Sequence, residues 1–200
     1  AGDSRPGAPL ERVTIEGEKF VLKRISWSRD WLMRTSGDRD GWTVRAWESG
    51  IMSHMPASID HATVGAARWD GPNGIETAVL MRDVGHSVVP DGDSVVPLDQ
   101  HLQFIDRMAE LHATFLEFNG VSGLMPLQNR YLFLSPDTAK AELEYDSTSE
   151  IPGYVLNGWK QLAEKSPELA KIVLPLHDDV SPLLDAFAKT PLTFMHGDWK

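Results

Sequence analysis

The triplet His196-Gly197-Asp198 follows Leu192-Thr193-Phe194-Met195, four residues that are apolar or favour extended backbone. A carboxylate just past a buried strand is held rigidly while still facing solvent or substrate, which is what proton transfer asks of a base. The alternative is an aspartate that makes a turn. Lys23 is the second group with a chemical use. In Phe20-Val21-Leu22-Lys23-Arg24-Ile25 the two-residue period of a strand puts Val21, Lys23 and Ile25 on one face, so the ammonium either snorkels to water or meets an anion. Glu48 falls one helical turn from Val44 and from Met52, at the margin of an apolar stripe. It needs a cation if it faces inward and none if it lies on a solvated flank, and Thr43 takes its position if the helix is registered differently. Residues 2–9, which include Ser4 and Gly7, are small and flexible, with N–H groups able to approach phosphate oxygens. A frayed terminus has the same composition, and the segment matches neither the Walker pattern nor G-x-G-x-x-G.

These groups need elements to hold them. Strand-like periodicity runs to about Met81 and helical periodicity follows, which suggests two lobes. Residues 10–15 and 19–25 form a predicted hairpin around Glu16-Gly17-Glu18. Residues 61–69 and 75–81 form another around Asp70-Gly71-Pro72-Asn73-Gly74, with Thr77-Ala78-Val79-Leu80-Met81 apolar enough to be buried. Between the hairpins, Val44, Trp47, Ile51 and Met55 give residues 41–55 one helical stripe that Pro56 ends. A polar loop over 85–97 precedes a long helix with Leu98, Leu102, Ile105, Met108, Ala109, His112, Phe115 and Leu116 on one side and Gly120 closing it. Ser135-Pro136, Ser166-Pro167 and Ser181-Pro182 each set a capping hydroxyl before a proline suited to a first helical turn. Thr190-Pro191 stops the last helix, and 192–195 reads as a short buried strand.

Charge and composition narrow the chemistry. Nineteen Lys and Arg against 29 Asp and Glu give a formal charge of −10 over 200 residues, the wrong sign for a chain that grips nucleic-acid phosphates. No apolar run approaches the roughly 18 residues that cross a bilayer, and the first residues hold no signal-peptide core; a cytoplasmic chain with no membrane partner is the default expectation. The absence of Cys removes disulfides, thiolate zinc sites and cysteine nucleophiles together. His112 reads as a packing residue. His177-Asp178-Asp179 resembles the metal-binding pair of certain phosphohydrolases, without their other histidines at helical spacing nearby.

Taken in order, a small-residue loop, a strand ending Val21-Leu22-Lys23, a helix carrying an acid, a hairpin ending Leu80-Met81-Arg82-Asp83-Val84, a long helix with Leu111-His112-Ala113, and a segment feeding His196-Gly197-Asp198 resemble the aminoglycoside phosphotransferase and choline kinase superfamily. The fold this resemblance implies is α+β and protein-kinase-like. Residues 1–84 would be a small antiparallel-sheet N-lobe that binds nucleotide, and 85–200 a partial, mostly helical C-lobe, incomplete at its C-terminus. The implied activity is transfer of the ATP γ-phosphoryl group to a hydroxyl of a small molecule, with ATP and Mg2+ as cofactors. The acidic balance is compatible with a cationic acceptor.

By the same resemblance, Ser4 and Gly7 belong to the loop over the phosphates, Lys23 binds the α- and β-phosphates, and Glu48 orients Lys23. The backbone of Arg82, Asp83 and Val84 would hold the adenine edge. Asp198 would be the catalytic base, with His196 and Gly197 shaping its loop. The family's magnesium ligands, an Asn about five residues after the base and an Asp on the next strand, would fall past Lys200, and its first strand would precede residue 1. The expectation is an internal fragment of a longer protein, with no appreciable turnover by itself. Thr43 at a possible Glu position and the Arg82-Asp83-Val84 hinge motivate the competing expectation of a degenerate kinase-fold module that binds without catalysis.

Overall fold

The computed structural model describes residues 8–87, 95–118, 123–145 and 149–197. Strand β1 (Leu10–Ile15) returns into β2 (Glu18–Ser26) through Glu16 and Gly17, whose φ of 53° and 88° make a two-residue left-handed turn that matches the twist of paired strands. β3 (Thr63–Gly71) and β4 (Gly74–Arg82) form the second hairpin, closed by Pro72 and Asn73. All pairings are antiparallel and the sheet order is β1-β2-β4-β3. β4 is therefore internal, and Thr77 and Val79 on it are buried, as its apolar sequence predicts. With a helical remainder, the chain is α+β.

Two helices join β2 to β3. In α1 (Trp31–Ser36), Asp30 caps the start by accepting from the N–H groups of Leu32 and Met33, at 2.8 and 3.2 Å, and Gly37 ends it with a φ of 77°. Helix α2 (Trp42–Glu48) is shorter than its apolar stripe predicts. Gly50 turns the chain left-handed at a φ of 75°, and Ile51–His54 continue as a single 3-10 turn. The stripe survives the break because Ile51 stays in the core beside Ala46.

Seven helices follow: α3 (Leu98–Thr114), α4 (Leu127–Leu132), α5 (Pro136–Glu144), α6 (Ile151–Lys165), α7 (Pro167–Val173), α8 (Pro175–Asp178) and α9 (Ser181–Phe187). Of the three predicted hydroxyl caps, Ser135 closes on Thr138 N–H at 3.2 Å. Ser166 and Ser181 make no side-chain cap bond, because Ser166 also ends α6 and α9 begins one residue after Val180. Helix α3 ends at Phe115, before the predicted stop; Gly120 lies outside the described residues. Its apolar side is also split. Leu111 and Phe115 are core, whereas Leu98, Leu102 and Ile105 are 74%, 52% and 54% exposed.

The core joins the two parts of the chain. Ala46 and Ile51 pack with Leu111 and Phe115, and Met52, Met55, Ile59, Leu124 and Phe194 close around them. A second joint is electrostatic. Arg34 on α1 meets Glu142 on α5 through both guanidinium edges: Nε donates to Oε2 at 2.8 Å and Nη2 to Oε1, while Nη1 donates to the Trp27 carbonyl at 2.6 Å. The Tyr145 ring lies 4.3 Å from the guanidinium carbon.

Asp38, also buried, organises the link between α1 and α2. Its Oδ1 accepts from the N–H groups of Asp40, Gly41 and Trp42 at 3.2, 2.7 and 3.0 Å, so it caps α2 from outside the helix. Gly41 has a φ of 70°, and a Cβ there would stand 2.5 Å from Thr77 Cγ2, so this glycine is what lets α2 begin against the sheet. Burial raises the pKa of Asp30 and of Asp38 above the ordinary 3.8, outweighing the backbone N–H bonds that favour the anion. A carboxylate with a raised folded pKa binds its proton more tightly in the native state. The contribution of these two groups to stability is therefore largest below pH 3.8 and declines as pH rises through the raised values. Asp38→Asn keeps Oδ1 as acceptor and is expected to shallow that decline. Urea midpoints measured from about pH 3.5 to 7 check this, and a slope identical to wild type would contradict it.

Candidate functional site

Lys23 sits on an inner strand, opposite Val79 of β4, and shares its sheet face with Val21, Ile25, Thr77 and Met81. Ala66 and Arg68 of β3 continue this face, and α2 packs across it. The ammonium is half-buried, as an alternating position between Val21 and Ile25 predicts. Among the described residues no carboxylate comes within 4.0 Å of it. Its positive charge lowers the Asp30 pKa against the larger upward push of burial, so Asp30 is an acidic neighbour of Lys23.

Glu48 ends α2 over the same face and has cations of its own. Arg68 Nη2 approaches it at 3.2 Å and Arg45 Nη1 at 3.9 Å, and Arg68 also donates to the Asp40 carbonyl at 2.8 Å. Arg68 thus binds both ends of the α2 region to β3. Thr43 is exposed on the outer side of the helix. Sequence reasoning missed Arg68 as a partner, although alternation along β3 puts it on the inward face with Ala66, where a guanidinium needs a carboxylate.

The hinge residues follow β4. Arg82 Nη2 donates to Asp60 Oδ1 at 2.6 Å and to the His61 carbonyl at 2.8 Å. Its main-chain N–H goes to the Ala62 carbonyl and that of Asp83 to the Lys19 carbonyl, which leaves the Val84 N–H as the amide of this trio that no described main-chain acceptor takes. The Asp83 carboxylate accepts from Gly85 N–H at 3.0 Å and stands 3.7 Å from Arg12 Nε. Arg12, Lys19, Asp83, Gly85 and His86 line an open cleft of about 420 Å³ here.

The segment leading to His196 is extended, but among the described residues it joins no sheet. Its composition predicts a strand; its main chain instead lies along the end of α3. Glu117, at a left-handed φ of 60°, donates its N–H to the Leu192 carbonyl at 2.8 Å, and Thr193 Oγ1 donates to the His112 carbonyl at 2.7 Å. Phe194 meets Phe115 edge-on with ring centroids 5.4 Å apart. Gly197 then turns left-handed with a φ of 81°, and Arg130 Nη2 donates to its carbonyl at 3.1 Å. Met108, His112, Arg130, Met195, His196 and Gly197 enclose a cavity of about 180 Å³. Asp198, Ser4 and Gly7 lie outside the described residues.

His177 makes an edge contact with Trp159 at 4.5 Å, and burial lowers its pKa, which keeps the imidazole neutral at higher acidity than usual. Among the described residues no group of three or more His, Cys, Asp or Glu converges, and no helix is long and apolar enough to cross a membrane. No family model, curated protein or solved structure matches the chain.

Proposed function

We propose that this chain belongs to an ATP-dependent phosphotransferase acting on a small-molecule hydroxyl, of the kind found in the aminoglycoside phosphotransferase and choline kinase superfamily. The observation that carries the reading is the setting of Lys23. A half-buried ammonium on an inner strand, without a carboxylate partner among the described residues, has the chemistry of an anion receptor. Its strand leads into the helix that covers its face and then into the hairpin that ends at the hinge, the order that a nucleotide lobe of this type requires. ATP, when bound, supplies the transferable phosphoryl group. Lys23 neutralises phosphate charge, the Val84 N–H offers a donor to the purine edge, and Asp198 takes the proton of the attacking hydroxyl.

Titration calorimetry with MgATP tests the reading. Saturable binding is expected, weakened about tenfold or more by Lys23→Ala, since the removed group makes charge-assisted bonds. Wild-type protein that binds no MgATP at millimolar concentration would overturn it.

One observation favours the second reading, a kinase-fold module that binds without catalysing. Glu48 is engaged by Arg68 and Arg45, so orienting Lys23 would require that arrangement to break or Asp30 to serve in its place. Nucleotide binding in the full-length protein with no transfer to any hydroxylated amine, and no effect of Asp198→Asn, would select this reading.

A further inference from the structure

We propose that Arg130 is a positioning residue that fixes the main chain entering Asp198; the inference rests on the reading of Asp198 as the base. The Gly197 carbonyl and the Asp198 N–H belong to one planar peptide unit, so a donor that holds the oxygen also fixes the plane from which the Asp198 side chain departs. Arg130 Nη2 holds that oxygen at 3.1 Å across 67 residues of sequence. Upstream anchoring runs through Thr193 and Phe194. Beyond them Met195 is half exposed, Gly197 adopts a φ of 81°, and the chain has left the core.

Arg130 is itself well placed to act as a fixed donor. Its guanidinium lies 5.2 Å from the Phe133 ring centroid. The preceding residue, Asn129, donates through Nδ2 to the Ser36 carbonyl of α1 at 2.8 Å. Adjacent residues of α4 therefore grip the helix that follows the Lys23 strand and the segment that precedes Asp198. Helix α4 sets the spacing between the two groups that the proposed chemistry needs on either side of one phosphate chain.

The test uses Arg130→Met, which keeps the length of the stem and removes the donors, with amide hydrogen exchange and the His196 imidazole resonances as readouts. Exchange at residues 195–198 is expected to rise about tenfold while α3 and the sheet keep wild-type protection, and the His196 resonances shift. Arg130→Lys, with one donor and the charge retained, recovers part of the protection. Wild-type exchange at 195–198 in a folded Arg130→Met protein, or an Arg130→Lys variant no better protected than Arg130→Met, overturns the proposal. Should Arg130→Met not fold, Arg130→Gln replaces it, and collapse of both overturns positioning in favour of a purely structural role. MgATP calorimetry separates the two levels. Wild-type protein without nucleotide binding sinks the phosphotransferase reading and leaves the exchange pattern to report on the tether, whereas unchanged exchange with intact binding sinks the role of Arg130 alone.

Discussion

Glu142→Ala is expected to lower the unfolding free energy by about 3–5 kcal/mol, the range for removing one partner of a buried ion pair. The side chains of Arg34 and Glu142 are only 8% and 2% exposed, so solvent screens neither charge. Losing the carboxylate strands a guanidinium that retains one carbonyl acceptor, from Trp27, and the face of Tyr145. Arg34→Ala leaves the converse, a buried carboxylate without a cation, at similar cost. Replacing both, as Arg34→Met with Glu142→Leu, should cost less than either single alanine change, because neither charge is then left alone. Urea unfolding of the four proteins checks this. A Glu142→Ala midpoint within error of wild type, with an unchanged denaturant slope, would mean that the pair is open in solution.

Phe115→Ala should cost a comparable amount, about 3–5 kcal/mol, through lost burial and the cavity left behind. Phe115 is 1% exposed and makes edge-on contacts with Phe118 at 5.3 Å and Phe194 at 5.4 Å. The ring also fills the space between Ala46, Ile51 and Leu111, so its removal loosens α2 and α3 together. Phe194 loses its partner as well, and proteolysis within 190–197 should quicken in the variant. Thermal unfolding and limited digestion measure the two effects. A midpoint shift of less than a degree or two would show that the surrounding side chains collapse into the space.

Both hairpins were legible because their information is local: alternating residues on either side of a turn whose composition fits positive φ or tight bending. The face of Lys23 followed from the same period of two. Helix α2 was overextended because the apolar stripe continues past Gly50 on the same face, and only the left-handed φ at that glycine separates the helix from the 3-10 turn. Residues 192–195 have the composition of a buried strand without the strand. Apolar side chains specify burial, but a ladder needs a neighbouring strand with free main-chain groups, and this segment meets the flank of a helix instead.

The candidate site divides along the same line. That Lys23 and Glu48 lie over one sheet face could be read from local pattern; that Glu48 is engaged by Arg68 depends on the register of β3 against β4. The Arg34 and Glu142 pair, 108 residues apart, carries no local signal at all. Asp30, Asp38 and Arg130 were passed over because each acts on main-chain atoms, which every sequence possesses and none advertises.

The change from sheet to helices near residue 84 is a change of architecture and not a seam. Residues 46 and 51 share their packing with 111, 115 and 194, and the ion pair spans the same divide. Severed there, each piece would expose half of a core and keep one orphaned charge. Neither would persist alone, and heat or denaturant should melt the sheet and the helices in a single cooperative step.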